Sequence, residues 1–179
     1  LGWSGVATSA SDVATAPLPA DPARTLVVLR TNAPLGWEDA QTLIDEVDDA
    51  DGAWYLPTDA AGRSLVASLA AQLGPWECVG PWLGATRSGG TRSIEDGWLD
   101  TQGTAVSEVA WSKDSPAGAT SLRWAVAIDG RDESLEGWIN LLPAAEAGPG
   151  SFGLVATVSS DAPDCDGDRK STRLNSSHT

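Results

Sequence analysis

The stretch GWEDAQTLIDEVDDADG, residues 36–52, decides the fold class because its apolar residues recur at helical spacing. Glu38 and Asp39 stand in the first turn, where the helix dipole favours negative charge, and Gly52 ends the segment. The pattern predicts an amphipathic helix with one buried stripe. The residues of that stripe lie three or four positions apart: Trp37, Ala40, Ile44 and Val47.

A second helix is predicted over residues 57–75, PTDAAGRSLVASLAAQLGP. Thr58 or Asp59 can cap its N-terminus, and the Gly74-Pro75 pair ends it. We expect this helix, like the first, to pack one face against a core. Its apolar stripe consists of Leu65, Leu69 and Leu73, with Val66 beside them.

Short runs rich in β-branched and aromatic residues surround the two helices and are separated by Gly, Ser and Asp. One such run, at Thr25–Arg30, precedes the helices. The remaining predicted strands follow the helices, at residues 76–85, 97–100, 121–128, 137–142 and 152–158. One strand, two helices and then several strands is an α+β order, whereas a doubly wound parallel sheet would need strict alternation.

The chain of 179 residues is strongly acidic, with a formal net charge of -14. Nucleic-acid binding needs clustered Lys and Arg to neutralise phosphates, so we expect no nucleic-acid partner. No apolar run approaches the roughly 18–20 residues that span a bilayer, so we expect no membrane insertion. Nine Trp are scattered along a chain that has one Phe, one Tyr and no Met. This Trp-rich composition favours a core framework over a continuous aromatic binding track.

The domain organisation is predicted from shifts in composition. Residues 1–24, rich in Ala, Ser, Pro and Thr, are predicted to be a linker or arm. Residues 25–160 are predicted to be one domain and residues 161–168 an acidic linker. Residues 169–179, RKSTRLNSSHT, resemble translated library-adapter sequence and are expected to be a non-native tail. Because the chain begins at Leu1 rather than Met, we expect it to be a fragment.

Several motifs resemble those of the C-type lectin-like domain family. In chain order they are WEDA (37–40), PWLGA (81–85), GWLD (97–100), Trp111, Pro116 and Trp138-Ile139-Asn140. The resemblance extends from about Thr25 to Val158. It implies an α+β C-type lectin-like fold with two helices, short antiparallel strands and a long loop. It also implies a cis peptide bond before Pro116.

The family's usual calcium site is not expected to form. The resemblance implies calcium ligands beside the cis proline and after the Trp of the last motif. Here Ser115 and Ala117 flank Pro116, Ile139 takes one ligand position, and Asn140 alone offers a side-chain amide oxygen. Calcium prefers six to eight oxygen ligands, mostly carboxylates and amides. We therefore expect no metal there.

The two disulfides that the resemblance implies are also missing, with Ile44 at the first-helix cysteine position. The chain contains only Cys78 and Cys165. Two cysteines are too few for a disulfide framework or a tetrahedral zinc site. One structural bridge, two free thiols, or a bond to a segment beyond this chain all stay open.

Two acidic loops are the places where calcium would otherwise bind. Neither has the closing bidentate Glu of an EF-hand, so we favour solvated loops over metal sites and expect no cofactor. The first loop consists of Asp48, Asp49 and Asp51, and the second of Asp161, Asp164, Asp166 and Asp168.

The sequence contains few of the residue combinations that common catalytic sites require. The only histidine is His178, inside the expected tail, so a Ser-His-Asp or Cys-His arrangement cannot form. Glu95 and Asp96, beside Trp98, are the best candidates for the paired carboxylates of a glycosidase. A solvated turn explains them without any activity. We expect that the protein is not an enzyme.

The sequence therefore predicts a non-catalytic recognition module of a larger exported protein, extracellular or at the cell surface. A protein or glycan partner would bind the long loop, about Gly103 to Arg123, together with Gly130 to Gly137, since loops on a rigid scaffold carry recognition. The candidate contact residues are Trp111, Asp132, Glu133, Glu136 and Asn140. Two alternatives stay open: a calcium-dependent carbohydrate-binding lectin with altered ligands, and a structural spacer domain.

Overall fold

The structure, a computed structural model, describes residues 10–31, 36–45, 53–76, 78–143 and 155–157. The described elements are β1 (Ala10–Pro17), β2 (Thr25–Thr31), α1 (Trp37–Asp45), α2 (Ala60–Gln72), β3 (Val79–Arg87), β4 (Trp98–Asp100), β5 (Trp124–Asp129), β6 (Trp138–Leu141) and β7 (Val155–Thr157). This is the α+β order that the sequence predicts, except that two strands rather than one precede the two helices; short strands and a long loop follow.

The described strands form two sheets. The first has the order β1-β2-β7, with β1 antiparallel and β7 parallel to β2. The second has the order β4-β3-β5-β6 and is antiparallel throughout. Its central strand β5 is buried along its whole length, and Trp82 of β3 lies opposite Ala127. The second sheet therefore supplies the scaffold from which the long loop leaves.

Strand β1 was not expected. Residues 10–17 pair with β2, so the prediction of a linker or arm over residues 1–24 is wrong for this part. Small side chains are sufficient in β1 because main-chain hydrogen bonds hold it to β2. Ala14 is buried in this pair and Val13 is exposed. Residues 1–9 lie outside the described residues.

Helix α1 buries the predicted stripe. Trp37, Ala40 and Ile44 are all buried, whereas Val47 lies outside the described residues. The indole Nε1 of Trp37 donates to the carbonyl oxygen of Leu83 at 3.0 Å. This bond ties the start of the helix to β3 and satisfies a buried donor.

Helix α2 begins at the predicted cap. The Asp59 side chain accepts a hydrogen bond from the backbone N–H of Gly62 at 2.7 Å. Leu69 and Leu73 are buried and Leu65 is half-buried, so the predicted stripe is confirmed. The next strand begins at Val79 rather than at 76, because Trp76 closes the helix end by donating its Nε1 to Ala70 at 3.0 Å.

Tryptophan is mainly a framework residue here. Among the described Trp, only Trp54 and Trp111 are half-buried, and the others are buried. Trp82 and Trp138 are the largest side chains that are fully buried. Cys78 is disulfide-bonded, which excludes a free thiol there, and its partner lies outside the described residues. Within the described part of the chain, no helix is long and apolar enough to cross a membrane.

Candidate recognition surface

The long loop leaves β4 through a turn that Asp100 holds closed. Its Oδ1 accepts hydrogen bonds from the backbone N–H groups of Gln102 at 2.9 Å and Thr104 at 2.8 Å. Two residues later, the N–H of Val106 donates to Trp98 O at 3.0 Å. Aspartate side chains readily satisfy such turn amides. The first residues of the loop are therefore folded back against the strand they leave.

Trp111 lies between two other indoles. Its ring centroid is 4.9 Å from that of Trp98 and 6.2 Å from that of Trp138, the latter in an edge-to-face arrangement. Main-chain hydrogen bonds join the same segments: Ser112 N donates to Trp138 O at 2.9 Å, and Trp138 N donates to Ala110 O at 2.8 Å. Aromatic pairs of this kind contribute about 0.5–1.5 kcal/mol beyond area burial. Trp111 is thus held firmly, although the residue is only half-buried.

Asp132 holds the loop at residues 130–137 together through hydrogen bonds. Its Oδ1 accepts from the N–H and hydroxyl of Ser134 at 3.0 and 2.9 Å, and its Oδ2 accepts from Gly137 N at 2.8 Å. Partial burial acts to raise the pKa of Asp132, but hydrogen bonds from Ser134 and from backbone N–H groups outweigh it and lower that pKa. The carboxylate therefore stays ionised at neutral pH.

The two loops meet at Gly137. A Cβ atom there would collide with Ser112 Oγ and would come within 2.7 Å of Asp132 Oδ2. A side chain at this position would force Ser112 or Asp132 to move, so glycine favours this close approach. We call residues 103–123 and 130–137 together the long-loop surface, and the contact at Gly137 makes them one surface.

Four of the five predicted contact residues lie on the long-loop surface. Ser112, the residue after Trp111, and Asp132 both lie against Gly137, and Glu133 is exposed in the same turn as Asp132. Glu136 is half-buried, and its Oε1 accepts from Ser64 Oγ of α2 at 2.7 Å. The surface is therefore tied to a helix as well as to the sheet.

Asn140 is not on this surface. It is 2% exposed, and its amide makes a pair of hydrogen bonds with the backbone of Ala117. Asn140 Oδ1 accepts from Ala117 N at 2.9 Å, and Asn140 Nδ2 donates to Ala117 O at 2.7 Å. The structure places this predicted contact residue inside, where it holds the loop rather than facing a partner.

Two further buried side chains hold the same part of the loop. Trp124 Nε1 donates to Ala119 O at 3.0 Å, and Arg87 Nη2 donates to Thr120 O at 3.5 Å. The Ser115–Pro116 peptide bond, just before this region, is cis, as the resemblance implies. The loop backbone is thus fixed by Asn140 on β6, Trp124 on β5 and Arg87 on β3.

Arg87 also supports the turn that carries the candidate carboxylate pair. Although 1% exposed, it donates through Nε to Asp96 O at 3.1 Å and through Nη2 to Thr91 Oγ1 and Ser93 O. Burial lowers the pKa of this guanidinium, and nearby Asp96 opposes the shift. Glu95 and Asp96 are both exposed, so the pair lies on a surface turn.

A second aromatic group lies at the start of α1, where the sequence predicts only a core residue. The rings of Trp37 and Trp54 are stacked, with centroids 4.7 Å apart and planes 1° apart. Arg123, at the end of the long loop, lies over Trp37 at 5.9 Å and pairs with Glu38 at 2.5 Å. Trp54 belongs to a short segment without periodicity, which gave no signal of this contact.

The residues around the cis proline do not fit a calcium ion. Asn140 Oδ1 already accepts the N–H of Ala117, and neither Ala117 nor Ile139 has a side-chain oxygen. Across the described ranges, no group of three or more His, Cys, Asp or Glu side chains is arranged to hold a metal. Both predicted acidic loops, before Gly52 and at 161–168, lie outside the described residues.

No family model matches this chain. No curated protein sequence matches it either. Among solved structures, human lithostathine is similar at 19% identity and a TM-score of 0.45, covering 60% of this chain and 75% of that one. CEL-IV is similar at 16% identity and a TM-score of 0.47, covering 63% of this chain and 76% of that one. Both have C-type lectin-like folds.

Proposed function

We propose that this chain is a non-catalytic recognition module that binds a protein or glycan partner through the long-loop surface. The observation that carries the proposal is the joining of the two loops at Gly137, with Trp111 wedged between Trp98 and Trp138. A loop that is fixed before binding loses little conformational entropy when the partner arrives. A surface of this kind suits recognition.

The exposed side chains of the surface support binding of a large partner. Val109 is 44% exposed two residues before Trp111, and Leu99 is 40% exposed on the adjoining strand β4. Half-exposed Trp residues surrounded by apolar neighbours are common centres of protein interfaces. Glu108, Asp114 and Glu133 are exposed on the same loops. A protein with a basic rim therefore complements this surface better than an acidic one.

The module is proposed to act without the family's usual calcium site, because the Asn140 amide is already occupied by Ala117. The disulfide at Cys78 favours an exported location, since such bonds persist in oxidising compartments. No enzymatic role is proposed, because residues 1–168 contain no histidine. Calcium-dependent sugar binding with altered ligands and a purely structural spacer are the competing functions.

An array of glycans and proteins, probed with and without EDTA, tests the proposal. We expect binding that EDTA leaves unchanged and that Trp111→Ala weakens at least about tenfold, the effect of losing an interface anchor. Val13→Ala, an exposed apolar position on β1 outside the long-loop surface, is the matched control and should bind normally. Binding abolished by EDTA would establish the calcium-dependent alternative. No binding by the native chain, or equal binding by the Trp111→Ala variant, would exclude recognition through this surface.

A further inference from the structure

Arg87 is a buried cation without an ion pair. The residue is 1% exposed, and the salt bridges of the described residues do not include it. The arginines that do form ion pairs in this part of the chain keep 23% to 48% of their side chains exposed. Arginine is almost never fully buried without a partner, because an unpaired charge is costly to remove from water. A counter-charge is therefore expected beside Arg87.

The hydrogen bonds of Arg87 all go to neutral acceptors. Its Nε donates to Asp96 O at 3.1 Å. Its Nη2 donates to the Thr91 hydroxyl, to Ser93 O at 3.4 Å and to Thr120 O at 3.5 Å. The Nη1 atom, which has two further N–H donors, is buried and has no hydrogen-bond partner in the described part of the chain. One edge of the guanidinium thus lacks both an acceptor and a negative charge.

The carboxylate of Asp96 does not supply that charge. Burial lowers the pKa of Arg87, and the charge of Asp96 acts in the opposite direction but is the weaker influence. Among the described salt bridges, none joins Asp96 to Arg87. Asp96 is exposed, so water and salt screen its charge. An ion from the solvent is the remaining source of negative charge.

The surroundings of Arg87 limit the size of that ion. The guanidinium lies between Thr120 and the turn at residues 88–96, to whose side chains and carbonyls it is bonded. Residues 88–90 of the turn are exposed, so one surface turn separates the guanidinium from solvent. A monatomic anion can pass with a small movement of this turn. The net charge of -14 repels anions from a distance, but salt screens this repulsion beyond about 8–10 Å.

We propose that Arg87 Nη1 binds a small monovalent anion of the chloride type between the turn at residues 88–96 and Thr120 of the long loop. The ion provides both the acceptor that Nη1 lacks and the counter-charge that the guanidinium lacks. It also strengthens the connection between β3, the turn and the end of the long loop. The site goes beyond the recognition proposed for the long-loop surface and does not depend on it.

Thermal melts in different sodium salts test the proposal. Chloride is compared with gluconate, an anion too large for the site, at the same total salt of about 0.15 M. We expect the native chain to melt about 2–4 °C higher in chloride, because a ligand that binds only the folded state stabilises it. Arg87→Met should abolish this difference. Arg92→Met, which removes an exposed arginine of the same turn, is the matched control and should retain it. Equal chloride effects in the native chain and Arg87→Met would overturn the proposal.

A second measurement uses the native chain alone and needs no folded variant. Crystals are grown with about 0.15 M sodium bromide in place of chloride and are measured at the bromine absorption edge. We expect an anomalous peak in contact with Arg87 Nη1. A water molecule or a carboxylate of the chain at Nη1, without an anomalous peak, would overturn the proposal. Neither measurement involves Trp111 or a partner of the long-loop surface.

Discussion

Asn140 and Asp132 illustrate how single side chains shape the long-loop surface. Both are polar residues in or near the loops, where recognition is expected. Asn140 turns inward and binds Ala117, whereas the oxygens of Asp132 bind the amides of its own turn. Each residue thus holds the backbone of the long-loop surface.

Replacing Asn140 with Ala should loosen the loop near Ala117. The change removes two hydrogen bonds and leaves the Ala117 N–H and C=O without them, at a cost of about 1–3 kcal/mol. Urea denaturation gives the stability, and hydrogen exchange gives the local effect. We expect faster exchange at 117–120 even where global stability is retained. Slow exchange there in Asn140→Ala would show that Trp124 and Arg87 suffice to fix the loop.

Asp132 predicts a pH dependence of stability. Its pKa is lowered in the folded chain, so the ionised form stabilises the fold above the unfolded pKa of about 4. That contribution is lost as the pH falls through the lowered pKa. Thermal melts of the native chain and Asp132→Asn should therefore differ at pH 7 and converge near pH 2. A constant difference across this range would contradict the assignment.

At the scale of elements, strand β1 is the main departure from the sequence prediction. Its composition is that of a linker, but it lies along β2, whose residues Leu26 to Leu29 are all buried. A strand beside such a buried neighbour is stabilised by main-chain pairing even with small side chains. The partner strand, more than the β1 sequence, accounts for this element.

A pair of substitutions tests whether β1 is packed. Ala14 is buried and Thr15, the next residue, is exposed. Ala14→Glu should lower the free energy of unfolding by about 2–4 kcal/mol, because it places a carboxylate in an apolar site. Thr15→Glu should stay within about 0.5 kcal/mol of the native chain. Equal effects of the two changes, measured by urea denaturation, would indicate that residues 10–17 are not packed.

On the scale of the whole molecule, the framework is a set of indoles that link layers. Trp37 joins α1 to β3 by a hydrogen bond to Leu83, and Trp76 closes the end of α2 by a hydrogen bond to Ala70. Trp82 lies within β3 and is 1% exposed. An indole fills a large volume, and its N–H satisfies a backbone acceptor. Trp residues can therefore form the core framework of a chain that has few other aromatic residues.

Trp82→Ala should therefore cost about 3–5 kcal/mol, as other large-to-small changes in a core do. That is a large part of the ~5–15 kcal/mol that stabilises a typical domain. The exposed Leu142→Ala is the control, and its effect should stay below about 0.5 kcal/mol. Chemical denaturation of both variants checks the prediction. Comparable losses would place Trp82 outside the core.

The sequence by itself determined the two helices, the cap at Asp59, the order of the strands after them and the cis bond before Pro116. Helical periodicity and capping are local, so residues such as Trp37, Ala40 and Ile44 carry that information within one segment. The cis bond came from the family resemblance, which depends on motifs in order along the chain. The bounds of the long loop were also predicted from the sequence, and its role in recognition stays a prediction.

Only the tertiary structure decided which way polar side chains face and which distant segments meet. Asn140 faces inward because Ala117, far along the chain, offers both a donor and an acceptor. Arg123, at the end of the long loop, reaches α1 and contacts Glu38 and Trp37. Strand β1 forms because β2 lies beside it. The contacts of Asn140 and Arg123 join residues that are remote in sequence, and no local pattern encodes such a pairing. Strand β1 is close to β2 in sequence, but its composition gives no strand signal.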